Sequence, residues 1–110
     1  MEKTIWISYD LDIRGDYTGL FSWLDSHDAK ECGNLIAVLK YSIENGEDLL
    51  SKLSADLQRQ VKFKDSDRIY VVYADEKTGL NKGKFLFGNR RKSPWQGYSQ
   101  FTVNNVIEDF

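Results

Sequence analysis

Apolar positions along the chain switch between the two-residue period of strands and the 3.6-residue period of helices. The first run, Thr4-Ile5-Trp6-Ile7-Ser8-Tyr9-Asp10-Leu11-Asp12, is apolar and ends in carboxylates, and it reads as the central strand of a sheet. Ile13-Arg14-Gly15-Asp16 is a turn. Asp16 stands where a carboxylate accepts from the unpaired N–H groups that open a helix. Tyr17, Leu20, Phe21 and Leu24 then fall at i, i+3, i+4 and i+7 of that helix, with Trp23 off the stripe, at its flank or on the surface. The helix fades around Ser26-His27-Asp28, with His27 near its negative end.

Lys30 to Tyr41 reads as a second strand, bulged or kinked near its start by Gly33-Asn34. Leu35 to Leu39 is apolar at every position, which suits an interior strand covered on both faces, one cover being helices and the other a candidate second subunit. Asn45-Gly46 ends it. Glu47 and Asp48 load the first turn of a second helix striped by Leu49, Leu50, Leu53 and Leu57 and ending near Gln60 or Val61, with Asp48 and Lys52 spaced as an i, i+4 pair. Arg68 to Ala74 is a third strand, Asp75 to Gly83 a polar loop, Lys84 to Phe87 a fourth strand and Gln100 to Val103 a short fifth one in the tail. The order β-α-β-α-β-β plus tail predicts an α+β, ferredoxin-like domain with two helices on one face of the sheet. The opposite face, carrying alternate residues such as Trp6 and Ser8 or their neighbours, must be polar or covered, and a strongly apolar one predicts a dimer.

Composition bounds the partners. With 110 residues, 41% of them hydrophobic, the chain is expected to form a single domain (1–110), with 89–110 a basic and aromatic tail. Three Trp, six Tyr and six Phe exceed what a small core needs, so some rings are candidates for a partner. No apolar run is long enough to span a membrane, the start lacks the pattern of a signal peptide, and the single cysteine, Cys32, fits a reducing compartment. A cytoplasmic protein without a membrane partner is the expectation. Charge is unevenly spread: residues 1–50 hold four basic and ten acidic side chains, residues 51–110 eleven basic and seven acidic. Within 77–98 every charge is positive: Lys77, Lys82, Lys84, Arg90, Arg91 and Lys92. That asymmetry suits an anionic partner or a solvated edge equally well.

Three groups of residues carry candidate chemistry. Asp10 and Asp12, two apart on a persisting strand, project from one face and form a candidate site for Mg²⁺ or Mn²⁺, which could polarise a phosphodiester and activate a water. Lys84, Arg90, Arg91, Lys92 and Trp95 interleave cations with aromatic residues, as in surfaces that neutralise phosphates and stack unpaired bases; Phe85 and Phe87 read as core side chains of an edge strand. The acidic residues Asp12, Asp16, Asp25, Asp28 and Glu31 are candidates for a protein partner instead. His27 stands alone, and no Gly-rich phosphate loop or serine-hydrolase motif is present.

Ile5-Trp6-Ile7-Ser8-Tyr9-Asp10-Leu11, Leu35 to Leu39 and Asp67-Arg68-Ile69-Tyr70-Val71-Val72-Tyr73, in this order, resemble the small ferredoxin-like CRISPR adaptation subunit and its relative, virulence-associated protein D, a toxin ribonuclease. The resemblance covers roughly residues 4–88. It implies a homodimer with sheets face to face and a metal-binding or catalytic aspartate at the position of Asp10. Only Asp10 carries over, since Lys30-Glu31-Cys32-Gly33-Asn34 does not match the family's polar start to the second strand. The expected function is a small homodimeric protein associated with RNA or DNA. It is either a metal-dependent nuclease centred on Asp10 or a non-catalytic binder using the basic segment. The alternative is a protein-binding regulator or inhibitor from a mobile element, without catalysis.

Overall fold

The computed structural model describes residues 1–99. It is an α+β arrangement of a five-stranded antiparallel sheet and two helices. The elements are β1 (Glu2–Asp10), α1 (Tyr17–Ser26), β2 (Lys30–Glu31), β3 (Ile36–Ser42), α2 (Leu49–Gln60), β4 (Arg68–Ala74) and β5 (Asn81–Phe87), and the sheet order is β2-β3-β1-β4-β5. β1 is central, as its composition predicts, pairing antiparallel with β3 on one side and β4 on the other.

The expected order of elements needs two corrections. The single strand expected over Lys30 to Tyr41 is a hairpin of β2 and β3. Gly33 (φ +132°) and Leu35 (φ +66°) both take positive φ, and Cys32 N–H donates to Ile36 O at 3.0 Å. What reads as a bulge is therefore a reversal of the chain. The expected polar loop over Asp75 to Gly83 is instead a tight turn followed by the first three residues of β5. Asp75 N–H donates to Leu80 O (2.8 Å), Gly79 N–H to Asp75 O (2.8 Å), and the Asp75 carboxylate accepts from Thr78. With β5 paired outside β4, the sheet is not strictly ferredoxin-like in order. The fifth strand expected over Gln100 to Val103 lies outside the described residues.

One face of the sheet holds the core. Ile5 and Ile7 of β1, Ala37, Leu39 and Tyr41 of β3, and Ile69 and Val71 of β4 are buried in one cluster with Leu20, Trp23 and Leu24 of α1 and Leu49, Leu53 and Leu57 of α2. These are alternate positions of each strand, so the two helices cover this face and, among the described residues, leave the other bare. Fully burying a Leu such as Leu53 or Leu57 contributes about 1.5–3 kcal/mol. Trp23, expected at the helix flank or surface, is buried at 1% exposure, whereas Phe21 is half exposed. The buried stripe of α1 is thus Leu20, Trp23 and Leu24, rotated from the expected one because the Trp23 indole reaches a polar partner, Asp56 Oδ2 at 3.3 Å, on α2. Asp16 caps α1 as expected, accepting from Gly19 N–H at 2.9 Å. Asp48 caps α2 through Ser51, and Lys52 pairs with Glu47 (3.4 Å) rather than with Asp48.

Candidate nucleic-acid interface

The strand-end carboxylates do not form the expected pair. β1 ends at Asp10, so Asp12 lies beyond the pleat that would have aligned the two. Asp10 sits opposite Arg68 in the β1–β4 register, and its Oδ2 accepts from Arg68 Nη2 (2.6 Å) and Nε (3.2 Å). Asp12 is spent on the loop: Oδ1 accepts from Arg14 N–H (2.9 Å) and Oδ2 from the Ser66 hydroxyl (2.8 Å), which together hold its carboxyl below the usual range. Asp16 is lowered in the same way, by Lys62 N–H and then by Gly19 N–H. Asp10 is already neutralised by the Arg68 guanidinium, and both oxygens of Asp12 are engaged by Arg14 N–H and the Ser66 hydroxyl, so neither carboxylate is free to be shared with Mg²⁺ or Mn²⁺ without competition. The residues as placed do not fit that ion, and among the described residues no group of three or more His, Cys, Asp or Glu is placed to share a metal.

The same turn hides a residue that the sequence did not advertise. Asp67 is buried (1% exposed), accepting from Asp12 N–H at 2.6 Å and Lys64 N–H at 2.7 Å. It ties the turn after β1 to the entry of β4, which fixes Arg68 and, through it, Asp10.

The helix-free face of the sheet carries Thr4, Trp6, Ser8 and Asp10 from β1, Ile36, Val38 and Lys40 from β3, Arg68, Tyr70 and Val72 from β4, and Phe85 from β5, placed by the registers Trp6↔Val38, Trp6↔Val72, Ser8↔Tyr70 and Tyr70↔Phe85. Trp6 is 38% exposed, and the apolar residues around it are only half buried. Tyr70 and Phe85 meet edge to face with centroids 4.7 Å apart, and the Arg90 guanidinium lies over both rings, 5.6 Å and 5.4 Å from their centroids. Around the rings stand Lys40, Arg68 and Arg90. The sequence left this face to Trp6 and Ser8 or to their neighbours, and the registers decide for Trp6; Tyr70 and Phe85 were hidden because strand β4 and the Phe85-Leu86-Phe87 run look like core.

The expected basic site is divided by the sheet. Lys84 is opposite buried Val71 in the register and lines a depression with Asp48, Ser51 and Gln58 on the α2 side. Arg90 lies on the bare face, and Arg91 donates to Ser66 O at 3.2 Å. Lys92 and Trp95 are exposed beyond β5, Trp95 at 71%. Phe87 does pack inward, stacked on Phe63 at 4.0 Å, while Phe85 does not; the bulge between Ile69 and Tyr70 separates their directions. Of the acidic candidates for a protein partner, Asp12 and Asp16 are used in loop and cap bonds and Asp28 pairs with Lys30 at 3.0 Å, leaving Asp25 and Glu31 exposed.

No protein-family model, curated protein or solved structure matches the chain. Among the described residues no helix is long and apolar enough to cross a membrane.

Proposed function

We propose that the protein binds single-stranded RNA or DNA on the bare face of its sheet. Unpaired bases stack on Trp6 and on the Tyr70–Phe85 pair, and phosphates are neutralised by Arg90, Lys40 and the basic segment beyond β5. The observation that carries this reading is the interleaving of the exposed Trp6 and the half-buried Tyr70 and Phe85 with cations on the one face the helices leave open. A base offers a π-face to such rings only when it is unpaired, so the surface suits single strands over duplexes. We read the scaffold as ferredoxin-like with β5 added at the β4 edge; the run β2-β3-β1-β4, with helices following β1 and β3, supports that reading.

The resemblance noted from sequence adds a homodimer and a nuclease to this picture, and both are separable from binding. A face-to-face dimer would bury Trp6 and Tyr70, and so would compete with nucleic acid for the same surface. Asp10, held by Arg68, orients a guanidinium at the rim of the platform, and the binding reading expects no Mg²⁺-dependent cleavage.

Fluorescence anisotropy with labelled oligopyrimidines tests the proposal. Binding should weaken with salt with a logarithmic slope of about −2, as two to three neutralised phosphates require. Trp6→Ala should bind about 10- to 100-fold more weakly at unchanged stability. Affinity that ignores both salt and Trp6→Ala contradicts the platform. Cleavage in Mg²⁺ that Asp10→Asn abolishes with the fold intact would return the chemistry to Asp10. A dimer that Trp6→Ala dissociates, with no nucleic acid bound, would give the face to a second copy.

A further inference from the structure

We propose that Arg90 occupies, in the free protein, the place over Tyr70 and Phe85 that an unpaired base takes in the complex, and that its guanidinium moves to that nucleotide's phosphate on binding. The inference rests on the reading of the bare face as a single-strand platform and assigns one base slot within it.

The slot is built from both sides. The Tyr70 ring lies across β5 at Gly83, where any Cβ would overlap the tyrosine hydroxyl; glycine there lets the ring lie low against the neighbouring strand. Phe85 meets it edge to face at 4.7 Å and completes a continuous aromatic floor. The roof is Arg90, within 5.6 Å of both centroids and itself exposed. The chain on either side of it lies close to the start of β4. Gly88 takes φ +78° and sits so close to β4 that a Cβ would be 2.6 Å from Arg68 Cγ and from Asp67 O. Arg91 Nη2 reaches Ser66 O at 3.2 Å. With Arg90 already over the rings, movement of its side chain alone would open the slot, and no backbone closure is required.

The exchange is favourable on chemical grounds. An exposed cation–π contact is weaker than the stacking of a base on an aromatic ring. The displaced guanidinium then gains a charge-assisted bond to the phosphate that arrives with the base. Until then it shields the rings from water and from unwanted apolar contacts.

The test is NMR of the isotope-labelled chain titrated with an oligopyrimidine. In the free protein the Arg90 Cδ protons should be shifted upfield by the rings beneath them, and Tyr70→Leu should remove much of that shift. As binding saturates, the resonances should return downfield. In parallel, Arg90→Gln should reduce the magnitude of the salt slope by about 0.7, the loss of one phosphate contact on a single strand. Saturable binding with the upfield shift retained overturns the exchange while leaving the platform standing. Absence of binding by the wild-type chain overturns the platform and the slot together.

Discussion

Asp67 shows how a single side chain decides the geometry around the candidate site. Its two oxygens satisfy the N–H groups of Asp12 and Lys64, and the side chain is itself buried at the entry of β4. Each buried N–H left without a partner costs about 1–3 kcal/mol. Asp67→Ala should therefore lower stability by about 3 kcal/mol in urea unfolding; a loss below about 0.5 kcal/mol would show that the turn is held by other contacts. Sequence exposes the acidic residues of this turn but not their division of labour. Asp16 was readable as a cap because its partners follow it in sequence. Asp67, Ser66 and Arg68 meet Asp12 and Asp10 across more than fifty residues, and local pattern carries no trace of that pairing.

At the scale of elements, α1 and α2 are tied by one carboxylate. Asp56 accepts from Trp23 Nε1 (3.3 Å), the Tyr41 hydroxyl (3.1 Å) and Arg59 Nη2 (2.7 Å), and His27, stacked on Trp23 at 4.0 Å, brings Nε2 within 3.6 Å. Partial burial pushes the Asp56 carboxyl up, but the bonds from Arg59, Tyr41 and Trp23 outweigh it and hold it below its ordinary value. Burial, with the Asp56 charge beside it, pushes the Tyr41 phenol up. The signs are opposite: the lowered carboxylate contributes stability above the ordinary carboxylate range that is lost as pH falls through its folded value. The raised phenol contributes stability below about pH 10 that is lost as pH rises further. Asp12, Asp16, Asp48 and Asp75, all lowered by hydrogen bonds, add to the acid limb. Urea midpoints should be flat near neutrality and fall below about pH 4. Asp56→Asn should flatten part of that fall; an unchanged acid limb would contradict this tie. The strand β4 and the stripe of α2 were legible because their periods are clean, and β4 matches its expected range residue for residue. The β2–β3 hairpin was not, since it depends on Leu35 accepting a positive φ that its side chain disfavours. Nor was the inward turn of Trp23, which follows from a partner on another helix.

Across the whole molecule, the sheet separates two environments. One face is closed by helices over a continuous apolar core; the other carries rings, small polar residues and cations open to solvent. The charge asymmetry along the sequence therefore does not map onto two halves of the fold. Lys84 falls on the helix side of β5 while Arg90 falls on the bare side, and a cluster of basic residues in sequence becomes two surfaces in space. On the proposed reading, nucleic acid uses the bare side of the sheet and not the side that carries Lys84 and α2. The most direct measurement is a chemical-shift footprint of a single-stranded oligonucleotide on the labelled protein, followed at the Trp6 indole N–H, the rings of Tyr70 and Phe85, and the backbone of Lys84 and α2. The account predicts shifts concentrated at Trp6, Tyr70, Val72 and Phe85, with α1 and α2 unmoved. Shifts confined to Lys84 and the exposed side of α2, with Trp6 unchanged, would contradict it.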